Sequence, residues 1–106
     1  MRLYHNPRCS KSRQAVELLK LKGVEFEEYR YLDSGIAEED IMIIAALPNV
    51  IRTTEVEFKS NKFDLDNLDK VTQKLIEIPK LLQRPLLING DKAVIGRPPD
   101  LILQLV

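Results

Sequence analysis

The chain has 106 residues, of which 44% are hydrophobic and 30% charged, a composition typical of one soluble globular domain. Its 16 basic and 16 acidic residues cancel, which argues against a nucleic-acid-binding protein, because such proteins usually carry a basic excess. There is no secretory signal pattern and no apolar run of about 20 residues, so we expect a cytoplasmic protein that does not enter a membrane.

The chain has a single cysteine, Cys9, and a single histidine, His5. One cysteine excludes an intramolecular disulfide, a Cys-x-x-Cys redox pair and a cysteine-rich zinc site. No carboxylate lies near these two residues in sequence to complete a metal site. We therefore expect no metal, no bound cofactor and one thiol that is free to react.

The first quarter of the chain follows a strand–helix–strand pattern. Residues 3–4 predict a strand that stops before Pro7, since proline cannot donate to a strand ladder. From Ser10 onward the apolar spacing is helical, and Gly23 is placed to end that helix. Alternating apolar and charged residues over 24–27 predict a second strand.

The middle of the chain predicts three helical segments. The first is an apolar helical face at residues 41–45. The second begins near residue 54, because residues 54–57 have the spacing of a capping box. The third is an apolar stripe over residues 68–78, with Asp64 or Asp66 placed to cap its start.

The last part of the chain returns to strands. Residues 85–88 and 93–95 flank an Asn-Gly-Asp turn, and Asn-Gly between apolar runs is a strong hairpin signal. Pro98 and Pro99 then start a final helix that runs through Leu103. The complete order is β-α-β, a helical insertion and β-β-α. It predicts a single α/β domain over residues 1–106 with a thioredoxin-like fold and a mixed sheet of about four strands.

Cys9 lies at the predicted junction between the first loop and the first helix. The free N–H groups and the dipole of a helix N-terminus favour a thiolate over a thiol. Arg8, Lys11 and Arg13 add cations, so we expect a pKa in the range of activated cysteines. A lone cysteine is most often a small buried hydrophobe, but these polar neighbours are not those of a core position. The pattern therefore favours a reactive thiol.

Further residues fit an anion pocket around this thiol. The N–H groups that favour a thiolate also bind phosphate-like anions. We expect His5 to add a charge or a hydrogen bond and Ser12 to donate to the sulfur or to the anion. Arg52, Arg84 and Arg97, taken singly, are surface arginines. In a thioredoxin-like sheet, however, the loop before the third strand approaches the cysteine loop, which makes Arg84 the best placed to bind an oxyanion bidentately.

Four stretches together carry a resemblance to a known family. They are His5-Asn-Pro-Arg-Cys-Ser-Lys-Ser-Arg13, Arg52-Thr-Thr-Glu-Val-Glu-Phe-Lys59, Arg84-Pro-Leu-Leu-Ile-Asn-Gly90 and Ile95-Gly-Arg-Pro-Pro99. With them the chain resembles, essentially end to end, the glutaredoxin-dependent arsenate reductases of the thioredoxin-like superfamily, which also holds the Spx-type proteins.

The resemblance implies a mechanism. The cysteine that matches Cys9 attacks arsenate to form a covalent adduct, glutathione then adds, and glutaredoxin supplies the second thiol to release arsenite. The resemblance also implies that His5 tunes the nucleophile, that Ser12 contacts it and that a cis-proline lies at Pro85. Arginines hold the oxyanion at the positions that match Arg52, Arg84 and Arg97.

Two other functions remain open. One is a glutathione-dependent thiol reductase that acts on another substrate with the same pocket. The other is an Spx-like regulator that binds RNA polymerase, although such regulators often carry Cys-x-x-Cys and Ser12 stands where the second cysteine would be. No feature indicates an obligate dimer, so we expect a monomer.

Overall fold

Four short strands form one mixed sheet in the computed structural model, which describes residues 1–106. They are β1 (Arg2–Tyr4), β2 (Glu27–Tyr29), β3 (Leu86–Asn89) and β4 (Lys92–Ile95), in the spatial order β2-β1-β3-β4. Strand β1 pairs with β2 in parallel and with β3 antiparallel, and β3 pairs with β4 antiparallel. The predicted mixed sheet and the thioredoxin-like order are confirmed.

The connections are mostly helical. The α-helices are α1 (Ser10–Leu21), α2 (Tyr31–Ser34), α3 (Ile41–Ala45), α4 (Val56–Lys59) and α5 (Leu68–Glu77). Two 3₁₀ helices cover Pro79–Leu81 and Pro99–Leu105, so the final predicted helix exists but has the tighter 3₁₀ geometry. No helix has both the length and the apolar character needed to span a membrane.

The two faces of the sheet bury different elements because successive strand residues point to opposite sides. Tyr4 and Leu86 belong to a larger core with the helical insertion between β2 and β3. Leu3 and Leu87 belong to a smaller core with α1 and with Ile102 of the C-terminal 3₁₀ helix. Helix α1 is thereby held against β1, and its N-terminus lies beside the loop that follows this strand.

The second strand lies three residues later than its alternating pattern predicts, at Glu27–Tyr29 instead of 24–27. Val24 and Phe26 pack against the core on the α1 side of the sheet, and they belong to the connection that leaves this helix. Pairing with the sheet starts where the Glu27 N–H donates to the Met1 carbonyl at 2.9 Å. Alternation identified the buried face but not the point at which pairing begins.

Two helix starts also differ from prediction. The capping box at residues 54–57 does not form: α4 begins at Val56, and its N-cap residue Glu55 makes no side-chain capping bond, since its carboxylate pairs with basic side chains. Helix α5 is capped by neither predicted aspartate: the Asp64 side chain accepts from the Asp66 N–H at 2.9 Å. The cap of α5 is Asn67, whose Oδ1 accepts from the Lys70 N–H at 3.1 Å.

We expect Asn67→Ala to lower the free energy of unfolding by about 1 kcal/mol, the usual loss when a side-chain cap is removed. Urea denaturation followed by circular dichroism measures the change. Asn61→Ala is the matched control, because Asn61 is exposed and only its backbone takes part in a hydrogen bond. Equal losses in the two variants would show that the cap of α5 contributes nothing specific.

The C-terminal hairpin and the proline loops bring the end of the chain to the sheet. The hairpin is confirmed, with Gly90 at a φ of 64° in the turn. The Arg84–Pro85 bond is cis, as the resemblance implied, and Arg97–Pro98 is also cis. A Cβ on Gly96 would lie 2.8 Å from Cγ of Pro85, so only glycine allows these two loops to approach this closely.

Candidate active site

The loop between β1 and α1 is organised by Asn6, a residue that the sequence analysis did not single out. Its carbonyl accepts from the Cys9 N–H at 3.0 Å, and its side-chain Oδ1 accepts from the Arg8 N–H at 3.0 Å. Its own N–H donates to Oγ of Ser12 at 3.0 Å. Asn followed by proline is a turn signal that predicts such side-chain-to-backbone bonds. Asn6 therefore holds the cysteine loop in one conformation.

Cys9 is the N-cap residue of α1, at the junction where the pattern places it, and it is partly exposed. Burial raises the pKa of its thiol. The backbone N–H groups of Ser12 and Lys11 and the guanidinium of Arg84 outweigh that effect, so the pKa lies below its ordinary value. Because the shift comes from groups of the folded chain itself, the thiolate is favoured before any substrate arrives.

His5 and Ser12 form a buried pair beneath this loop. Oγ of Ser12 lies 2.6 Å from Nδ1 of His5 and accepts from the Asn6 N–H. We assign the hydroxyl proton to a hydrogen bond that Ser12 donates to Nδ1, which leaves the imidazole proton on Nε2, 4.0 Å from a carboxylate oxygen of Glu28. The hydroxyl of Ser12 thus contacts His5 and the loop, and it is the backbone N–H of Ser12 that acts on the sulfur.

The pKa of His5 is lower than usual because burial disfavours the charged ring; Glu28 opposes this effect while Arg30 and Arg13 reinforce it. The unfolded chain therefore takes up a proton on His5 at a higher pH than the folded chain does.

We expect the free energy of unfolding to fall as the pH drops below about 6.5, with a slope of at most about 1.4 kcal/mol per pH unit. His5→Gln removes this slope. Because His5 is the only histidine, an unchanged slope in the variant, measured by urea denaturation at several pH values, would contradict this explanation.

Glu55 joins two of the three candidate arginines. Its Oε1 lies 3.2 Å from Nε of Arg52 and 3.5 Å from Nη1 of Arg84, and its Oε2 lies 3.6 Å from Nζ of Lys80. Burial alone would raise the pKa of Glu55, but these cations lower it, so the carboxylate stays ionised. Arg52 also donates to Oε1 of Gln83 at 3.4 Å. One carboxylate thus holds Arg52 and Arg84 side by side.

Backbone pairing brings these arginines to the cysteine. The Arg52 N–H donates to the Leu81 carbonyl at 2.7 Å, and the Gln83 N–H donates to the Val50 carbonyl at 2.9 Å, which ties the two loops together. Arg84 then lies close enough to the sulfur to lower its pKa. Nε of Arg84 is buried and has no hydrogen-bond partner, so this guanidinium retains a donor for a ligand.

Arg97 contacts this loop through the loop's backbone. Its Nη1 donates to the carbonyl of Arg84 at 3.0 Å, so it supports the loop through the backbone. Of the three candidate arginines, Arg84 therefore acts on the thiol most directly, Arg52 is joined to Arg84 through Glu55, and Arg97 contacts the backbone of Arg84.

A cleft of about 560 Å³ opens beside the cysteine loop. Residues 5–8 form one wall and residues 30–33 another, and Glu55, Lys80 and Arg84 complete it. The carboxyl ends of parallel strands meet at one edge of a sheet, which explains why the segments after β1 and β2 face the same space. Of the predicted site residues, only His5 and Arg84 line this cleft; Cys9, Ser12, Arg52 and Arg97 do not. No group of three or more His, Cys, Asp or Glu side chains is arranged to hold a metal ion.

Besides Asn6, three further residues of this site were missed by the sequence analysis: Tyr31, Glu55 and Lys80. Glu55 had a signal in the sequence, since it follows Arg52 by three residues, a spacing that allows an ion pair. Residues 54–57 also have capping-box spacing, however, and Glu55 was therefore interpreted as part of a helix start. Tyr31 had a signal in its position one residue after β2, the strand that runs parallel to β1. Lys80 had none, because only the fold brings it to Glu55.

Comparisons with known proteins agree with this architecture. A model of the ArsC family matches residues 4–105. An arsenate reductase of Haemophilus influenzae is 37% identical over 98% of this chain and 97% of its own length, and one of Neisseria meningitidis serogroup A is 35% identical over 92% and 91%. The structure of an arsenate reductase from Vibrio cholerae has a TM-score of 0.83 at 28% identity, covering 100% of this chain and 98% of that one.

The similarity also extends to a regulator. The regulatory protein MgsR of Bacillus subtilis is 30% identical over 96% of this chain and 86% of its own length. Since both the family model and relatives above 30% identity cover nearly the whole sequence, the chain belongs to the ArsC family.

Proposed function

We propose that this protein reduces arsenate to arsenite with Cys9 as the nucleophile. The observation that carries the proposal is a partly exposed thiol whose pKa is lowered at a helix N-terminus, beside an arginine with an unpaired donor. A thiolate next to donors for a tetrahedral anion suits nucleophilic attack on an oxyanion. The names of the Haemophilus and Neisseria relatives give arsenate as the substrate.

The thiolate of Cys9 attacks the As(V) centre, and one arsenate hydroxyl leaves as water after it gains a proton. This step forms a sulfur–arsenic bond without any change of oxidation state. Reduction to As(III) needs two electrons, and two thiols supply them by joining into one disulfide. Water then cleaves the remaining sulfur–arsenic bond, which releases arsenite and regenerates Cys9 as a thiol.

The two reducing thiols come from other molecules, because the chain has only one cysteine. We assign them to glutathione, which adds to the Cys9 adduct as a co-substrate, and to glutaredoxin, whose thiol completes a mixed disulfide with glutathione. This scheme requires no bound cofactor and fits a monomer in the cytoplasm, where thiols are kept reduced.

The arginines stabilise the negative oxygens of the substrate and of the adduct. Arg84 acts most directly, because it already favours the thiolate and has a free Nε–H. Arg52 contributes charge through the Glu55 cluster, and Arg97 holds the backbone of Arg84. His5 and Ser12 act as positioning residues that keep the loop of Cys9 in place.

The test is formation of arsenite from arsenate by the purified protein with glutathione and glutaredoxin. We expect turnover with both thiols and none when glutaredoxin is omitted. Equal turnover with glutathione alone would contradict the glutaredoxin step but leave the Cys9 chemistry standing. No turnover with both thiols, under conditions in which arsenate does not slow alkylation of Cys9, would contradict arsenate reduction.

A second candidate is a glutathione-dependent thiol reductase with another substrate. The observation that favours it is the same partly exposed thiol with a lowered pKa, since such a thiol can exchange with disulfides and needs no bound anion to do so. It predicts that Cys9 exchanges rapidly with oxidised glutathione to give a mixed disulfide and one free glutathione, and that arsenate gives no protection. A regulatory role, suggested by the similarity to MgsR, predicts that the protein is recovered with RNA polymerase.

A further inference from the structure

Tyr31 is a buried side chain at the edge of the cleft. It is the first residue of α2 and follows β2 after a single residue, so it lies at the edge of the sheet from which the cysteine loop also leaves. Its side chain has no exposed surface, it packs 6.1 Å from the ring of Tyr4, and it lines the cleft together with residues of the cysteine loop.

The hydroxyl of Tyr31 has no hydrogen-bond partner, unlike the other two tyrosines of the chain. Tyr4 donates to Oδ2 of Asp40 at 2.6 Å and accepts from the Ala37 N–H at 3.1 Å. Tyr29 donates to the Gly35 carbonyl at 2.8 Å. A buried hydroxyl without a partner destabilises the folded chain, and phenylalanine would fill the same space without that penalty. The unpaired hydroxyl of Tyr31 is therefore a candidate hydrogen-bonding group for a ligand.

The surroundings of this hydroxyl belong to the candidate active site. Burial raises the pKa of Tyr31 to about 12, and the charged groups that act on it are Arg84, Cys9, Arg52 and Glu55. The phenol therefore keeps its proton at neutral pH and can only be a neutral donor towards an anion. Nε of Arg84 is a second buried donor without a partner in the same region.

We propose that the hydroxyl of Tyr31 donates a hydrogen bond to an oxygen of the tetrahedral oxyanion held beside Cys9, together with the free Nε–H of Arg84. This assignment rests on the proposed function. The Tyr31 hydroxyl would add an uncharged donor to the site. Such a donor strengthens anion binding by a directional hydrogen bond and leaves the net charge of the site unchanged. The hydroxyl of Tyr31 is buried, so the anion can reach it only if a side chain that lines the cleft changes its rotamer. Such rotamer changes are common when a protein binds a partner.

Tyr31→Phe tests the assignment, because it removes only the hydroxyl. Arsenate protection of Cys9 against alkylation, titrated with inorganic arsenate, gives the affinity. We expect the variant to bind arsenate about ten-fold more weakly, as for the loss of one hydrogen bond to a charged partner. We also expect its melting temperature without arsenate to be equal to or higher than that of the wild type, because an unsatisfied polar group is gone.

Tyr29→Phe is the matched control, since Tyr29 uses its hydroxyl within the fold. It should lose stability and keep the wild-type affinity for arsenate. Equal protection of the wild type and Tyr31→Phe would overturn the role of Tyr31 alone, and so would a lowered melting temperature with unchanged affinity. If arsenate fails to protect even the wild type, the proposed arsenate site is overturned and the assignment of Tyr31 with it.

Discussion

Cys9→Ser is expected to lower arsenate reduction by about 10³-fold or more, because a serine hydroxyl is not ionised at neutral pH and the substitution removes the nucleophile itself. The side chain of Cys9 makes no capping hydrogen bond at the start of α1. The loop is held instead by Asn6 and Ser12. The loss of activity should therefore come without loss of the fold.

Arsenite formation measures the activity, and thermal melting checks the fold. Ser10→Ala is the matched control, because Ser10 is the exposed neighbour of Cys9 at the first turn of α1. It should keep near wild-type turnover. Turnover that is undiminished in a folded Cys9→Ser protein would remove Cys9 from the mechanism.

Arg84→Ala is expected to lower kcat/KM for arsenate by about 10² to 10³-fold, the usual cost of removing one donor that stabilises an oxyanion. It should also raise the pKa of Cys9 towards its ordinary value, since Arg84 is one of the groups that lower it. Alkylation of Cys9 would then be slower than in the wild type at neutral pH, and it would approach the wild-type rate as the pH rises above the new pKa.

Arg84→Lys separates the two effects. Lysine keeps a positive charge near the sulfur but lacks the planar pair of donors, so the pKa of Cys9 should stay low while arsenate binding weakens. Lys20→Ala is the charge control, because Lys20 is exposed near the far end of α1. If Lys20→Ala shifted the pKa of Cys9 as much as Arg84→Ala does, the effect would be one of net charge and not of Arg84.

Features that depend on neighbouring residues could be predicted closely. The order of strands and helices follows from periodicity and from turn residues, and the hairpin around Gly90 lies where the Asn-Gly signal predicts it. The position of Cys9 at the start of α1 needs only a strand, a polar loop and a helical pattern in sequence. The boundaries of strands and helices could be predicted less closely than their order. The cap of α5 is Asn67 and not one of the predicted aspartates. Neighbouring polar side chains can make similar hydrogen bonds to the backbone, so the sequence does not show which of them caps the helix.

The sequence by itself determined the order of strands and helices, the single thiol and its place at a helix N-terminus, because these follow from composition and from patterns of residues close in the chain. Only the tertiary structure decided how the rest of the site meets that thiol. Glu55 joins Arg52 to Arg84, and Tyr31 faces the same region with an unpaired hydroxyl. These contacts join segments far apart in sequence, and their geometry is set by the packing of the helical insertion on the sheet, which no local pattern encodes.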